Sequence, residues 1–178
     1  TEAGIVFAES DKQTDTPPTS FPAKLTLFLL ERYRHFEGAG DKGCIIIPTE
    51  LVVDNATKLR EIIVQYADLW GLDAGFTQWI NEHNLFCNTL VDRIVTGFPQ
   101  SDTEQIFESL GYDDKLLAVG EIYHSWIIEA PQTLLNEFPV DKTQSPLNVK
   151  IVDDASPYRT VKVRLLNGTH TTMVPIGH

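Results

Sequence analysis

The chain has 178 residues, 42% of them apolar and 22% charged, and a net charge of −11, the make-up of an ordinary globular domain with a real core. That charge argues against a nucleic-acid partner, which needs a basic surface, but not against a small anion held by a few local cations. No apolar run approaches the ~20 residues of a membrane span. The two cysteines, Cys44 and Cys87, lie in apolar contexts and read as buried thiols of a reducing compartment, the cytoplasm.

Residues Ala3 to Ala8 form a short apolar run, read as the end of a buried strand. Glu9 to Ser20 is polar, holds Pro17-Pro18 and reads as a loop. A helix is predicted from Phe21 to Phe36, capped by Ser20, with Leu25, Phe28, Leu29 and Tyr33 as its apolar stripe and Gly38 and Gly40 as its stop. Cys44 to Ile47 reads as a strand buried on both faces of a parallel sheet. Strand, long helix, strand is a βαβ pattern. No Gly-x-Gly-x-x-Gly loop follows the first strand, as it would in a complete dinucleotide-binding domain. The expected fold class is therefore α/β, with residues 1–48 as the C-terminal half of an incomplete Rossmann-type sheet. The remainder of its own longer chain is then the natural partner of this piece, which alone should be inactive.

Residues 49–155 continue that α/β domain with added mixed strands. Asp54 or Asn55 should cap a helix to about Trp70, burying Leu59, Ile62, Ile63, Tyr66 and Leu69, with Gly71 as its stop. Asp73 to Glu82 reads as a second helix. A strand is expected within Leu90 to Val95, a short helix from Thr103 to Leu110, and a strand from Glu121 to Glu129. Pro131 to Phe138 reads as a helical turn or two, and Leu147 to Val152 as an alternating strand.

Residues 156–178 read as the start of a helical domain. Ser156 is a candidate cap, with Pro157 at the first helical position and Asp153 and Asp154 beside the positive end of the dipole. At about 100° per residue, Lys162, Asn167 and His170 share one side of this helix over about 12 Å, and Arg159 joins them. Val163 and Leu166 lie there too. A lysine beside an apolar patch and a second cation gives up its proton more readily, which suits a general acid or base. Asn167 and His170 can both donate to an oxygen that gains negative charge.

Val-Asp-Asp, Pro-Tyr and then Lys-x4-Asn-Gly-x-His resemble the mannitol dehydrogenase family, the polyol-type long-chain dehydrogenases. So do the segments 48–55, 86–97 and 166–170, and the opening Thr1-Glu2-Ala3-Gly4-Ile5. The resemblance implies hydride transfer between NAD and the C–OH/C=O carbon of an open-chain sugar acid, with no metal. It makes Lys162 the acid/base, Asn167 and His170 the groups that hold the oxyanion, and Asp92 a carboxylate that positions or relays protons for the base. It puts the cofactor's glycine-rich loop upstream, leaving Thr1 and Glu2 as the cofactor-side residues here. The sequence departs from the family pattern in two places. Leu51 stands where a second oxyanion-binding asparagine is expected, leaving Asn55 as the nearest amide, and Arg159 stands where a glutamate is expected three residues before the lysine. A guanidinium grips a carboxylate with two parallel hydrogen bonds, so Arg159 becomes a candidate for binding a substrate carboxylate.

Two other readings stay open. One is a non-catalytic binding module that keeps the fold. The other is a carbohydrate-active enzyme built on the carboxylates Glu50 and Asp92, Glu50 also being a candidate substrate contact at the end of the Ile45–Ile47 strand. Asp92 can equally be a structural partner of Arg93. His83 and His124 lack paired ligand spacing, so no metal site is expected.

Overall fold

The structure, a computed structural model, describes residues 4–99, 101–140 and 147–173, without the side chains of Leu166, Asn167, His170, Thr172 and Met173. It is a mixed α/β fold, as expected. Three helices form the first layer: α1 (Phe21–His35), α2 (Asn55–Leu69) and α3 (Ala74–His83). Leu29, Leu30, Leu59, Ile63, Phe76, Trp79 and Ile80 meet between them. Each such side chain removed from water contributes about 1.5–3 kcal/mol.

Helix α1 begins as its sequence dictates, the Ser20 Oγ accepting from the Ala23 N–H at 3.2 Å. It ends where Glu37 and Gly38 turn to positive φ and the Gly38 N–H reaches back to the Tyr33 carbonyl at 2.9 Å. Its buried face is Ala23, Thr26, Leu29 and Leu30, whereas Phe28 is exposed. Leu69, expected in the core, is likewise exposed at the last position of α2.

The strand expected at Ala3–Ala8 is not formed by residues 4–8. That segment is tied down by side chains instead: Phe7 packs on Tyr66 at 4.7 Å and the Ala8 N–H donates to the Tyr66 hydroxyl. The following loop turns around buried Asp11, whose carboxylate accepts the N–H groups of Thr19 and Ser20 and the hydroxyl of Tyr66.

Strand β1 (Ile45–Ile46) is shorter than the apolar run that announced it. Among the described residues it pairs with one strand, in parallel with β2 (Leu85–Phe86), and Ile45 is exposed, so it is not buried on both faces. The crossover therefore runs forward through α2 and α3, not backward through α1.

Beyond β2 the chain forms a three-stranded mixed sheet in the order β3 (Asn88–Asp92), β6 (Ser125–Glu129), β7 (Val149–Val152). β3 and β6 are antiparallel, with Leu90 opposite Ile127 and Asp92 opposite Ser125; β6 and β7 are parallel. Between β3 and β6 the chain makes a side ladder, β4 (Val95–Gly97) with β5 (Val119–Gly120), separated by α4 (Thr103–Leu110). β3 thus stops before Val95, and β6 starts later than its apolar pattern suggested. One face of the main sheet closes over Cys87, Ile128, Ala130 and Leu134. The other faces the last helical stretch: α5 (Ser156–Val161), a π-helical turn over Lys162–Asn167, and α6 (Gly168–Met173).

Candidate active site

Alternation along the strands decides which side chains meet that helix. Leu90 and Asp92 of β3, Ser125 and Ile127 of β6 and Lys150 of β7 all point to the same side. Opposite them stand Tyr158, Val161, Lys162, Leu165 and Thr169. Between the two surfaces lies a groove of about 850 Å³, apolar along most of its wall with a few polar groups, the usual make-up of a small-molecule site.

The helix is seated by carboxylates. Its N-cap position is Ala155, and Ser156, expected to cap it, is already the first helical residue. Asp154 accepts the Ser156 N–H at 2.8 Å and Glu129 accepts the Ala155 N–H at 2.9 Å. The Ser156 contacts hold the Asp154 carboxyl below its ordinary range. Glu129 also accepts from Asn88 at 3.3 Å. Asn88 in turn caps α2 from outside, its Oδ1 taking the N–H groups of Ala56 and Thr57 at 3.1 Å each. Of the two expected caps, Asp54 lies in the left-handed region with no capping bond, and Asn55 is already inside the helix, where its Oδ1 shares the Ala56 N–H with Asn88 at 2.9 Å.

Lys162 and Asp92 come together. The lysine Nζ donates to the Val91 carbonyl at 3.0 Å and lies 3.4 Å from Asp92 Oδ1, both side chains about four-fifths buried. Arg93, the structural partner weighed for Asp92, instead donates to the Glu121 carbonyl. The second cation expected beside the lysine is turned away: Arg159 pairs with Asp54 at 3.3 Å and does not line the groove. Asn55 is fully buried and holds the Pro48 and Glu50 carbonyls and Thr89. It fixes the loop after β1 and has no surface left for a ligand. Glu50 does not line the groove either, so Glu50 and Asp92 do not share a site there.

The side chains of Asn167 and His170 lie outside the described ones, and so do Thr1 and Glu2. The backbone does alter the angular reading, because a π turn holds more residues than an α turn and carries Asn167 and His170 around relative to Lys162. Such turns occur frequently at functional sites. Nothing in the residue pattern marked it, nor the part of Lys150, whose ammonium stands 5.3 Å over the Tyr158 ring.

A dinucleotide's pyrophosphate needs free backbone N–H groups at a helix start. The three longest helices begin with these groups already capped, α1 by Ser20, α2 by Asn88 and α3 by Asp73. These starts do not fit a pyrophosphate. Among the described residues there is also no group of three or more metal-ligating side chains, and no helix long and apolar enough to cross a membrane.

The family model described as the mannitol dehydrogenase Rossmann domain matches residues 1–142. The altronate oxidoreductase of Bacillus subtilis (strain 168) is 53% identical over 177 residues, which is 99% of this chain and 36% of that protein. The altronate oxidoreductase of Yersinia enterocolitica is 49% identical over 178 residues, again 36% of its length. The chain thus spans little more than a third of these relatives. Among solved structures, D-sorbitol dehydrogenase in substrate-free form superposes with a TM-score of 0.63, covering 86% of this chain and 29% of that one. The Pseudomonas fluorescens mannitol 2-dehydrogenase ternary complex with NAD and D-mannitol gives 0.62 over the same shares. Both are 24% identical and speak for the fold alone. With four-fifths of its length matched by the family's own domain, the chain belongs to the mannitol dehydrogenase family.

Proposed function

We propose that this chain forms the proton-handling wall of an NAD-dependent oxidoreductase that interconverts tagaturonate and altronate. The supporting observation is the largely buried Lys162–Asp92 pair opening on a groove large enough for a sugar acid. The altronate oxidoreductases named above, about half identical to this chain, support the choice of substrate.

In oxidation the neutral Lys162 amine takes the proton of the alcohol; in reduction its ammonium returns one to the carbonyl oxygen. The nicotinamide, when bound, supplies hydride transfer at that carbon. Asp92 and the Val91 carbonyl keep Nζ in place between turnovers, so little reorganisation precedes proton transfer. Asn167 and His170 hold the oxygen as it gains charge. The capped starts of α1, α2 and α3 leave the pyrophosphate to other residues.

The test uses the full-length enzyme with NADH and tagaturonate. Lys162→Met should lower kcat by about 10²–10⁴, the usual contribution of a positioned acid or base. A variant that keeps more than a tenth of the wild-type rate would refute the assignment.

A further inference from the structure

The groove holds a second lysine that the proton chemistry does not use. Lys150 projects from β7 onto the same face as Asp92, and both it and Lys162 line the cavity. The two differ in how their charge is met. Lys162 has Asp92 beside it. Among the described residues, Lys150 has no carboxylate within ion-pairing distance; its ammonium stands over the face of Tyr158. A ring face holds a cation in place without neutralising it. The remaining wall nearby includes Ile127 and Val161, which offer no counter-charge.

The register sets the spacing. Ile127 stands opposite Leu90 on one side and Lys150 on the other, and Asp92 is one pleat repeat beyond Leu90. Two strand spacings and one repeat put the Lys150 and Asp92 backbones about 12 Å apart. Both side chains point to the same side of the sheet and line the same groove, so a ligand lying along its wall meets both. One end of such a ligand meets the Lys162–Asp92 pair, and the other meets an ammonium with no carboxylate paired to it among the described residues.

We propose that Lys150 is the subsite for the substrate's carboxylate, held ready by Tyr158. This rests on the reading of the groove as a sugar-acid site and names the group that separates a sugar acid from a neutral sugar. It assigns to a strand the role proposed for Arg159 from its place where the family carries a glutamate; that guanidinium is engaged by Asp54.

The experiment compares Lys150→Met and Lys150→Arg with wild type in the full-length enzyme, on tagaturonate and on neutral fructose. Lys150→Met keeps the apolar stem of this exposed side chain and removes only the charge. It should raise KM for tagaturonate about 10- to 100-fold, the range of one lost charge-assisted hydrogen bond, with kcat changed far less. The effect on fructose should be at least tenfold smaller, and Lys150→Arg should recover most of the loss. An unchanged KM for tagaturonate, or equal losses on both substrates, would overturn the subsite. Failure of the wild type to turn over tagaturonate would sink the functional reading instead. Calorimetric binding of altronate to wild type and Lys150→Met then decides this one: weaker binding by the variant supports it, and equal or absent binding overturns it.

Discussion

Asn55 offers the sharpest separation of a ligand contact from a structural one. Its Oδ1 accepts the N–H groups of Thr89 at 3.0 Å and Ala56 at 2.9 Å, while Nδ2 donates to the Pro48 and Glu50 carbonyls and to Thr89 Oγ1. Replacing it with alanine does not orphan every partner. Ala56 N–H keeps Asn88, Pro48 O keeps the Thr89 hydroxyl, and Glu50 O keeps the Val52 N–H. Thr89 N–H, on a residue only 4% exposed, loses its Asn55 acceptor. One buried unsatisfied donor, plus the lost bonds and the small void, should cost about 2–4 kcal/mol. In native-state hydrogen exchange of the full-length protein, protection of the peptide over 86–92 should fall by about 30- to 1000-fold. Thr89→Val in a double-mutant cycle should couple to it, since the two side chains share a bond. A loss below about 0.5 kcal/mol, or a change confined to KM with protection intact, would refute the structural role and return Asn55 to the substrate.

Burial pushes the Cys87 thiol up to about 11, so in the native protein it should resist iodoacetamide near pH 8 until the fold is opened with urea; mass spectrometry of its peptide checks this, and alkylation as fast as in the unfolded chain would contradict it. Asp11 behaves differently. The Ser20 hydroxyl, the Thr19 and Ser20 N–H groups and the Tyr66 hydroxyl hold its carboxyl below the ordinary range. Its contribution is therefore complete above the unfolded value of about 4 and is lost as pH falls through the lower folded value. Asp11→Asn should lower the melting temperature at neutral pH and flatten its decline below about pH 4, and parallel acid limbs for the two proteins would rule this out.

The sequence was legible where one element carries its own instructions. α1 wears its cap at Ser20 and its stop at Gly38, and β7 alternates in plain view. It was not legible where partners come from elsewhere. Asn88 caps α2 from 32 residues away in the chain, and Glu129 seats the start of α5 across 26. The first strand failed because apolar content at residues 4–8 serves side-chain packing on Tyr66 as well as it would serve a ladder. At the site, spacing along the last helix found Lys162, and the resemblance supplied Asp92. The same helical arithmetic assumed a constant pitch that the π turn interrupts, and it searched for the second cation only along the helix. Arg159, which the wheel placed on the side of Lys162, is closed off by Asp54, a residue whose left-handed backbone no pattern announces. A groove wall has two surfaces, and a helical wheel sees one of them. The cation that completes the groove comes from a strand, where a period of two and a register of Ile127 against Lys150 put it across the cavity from the helix.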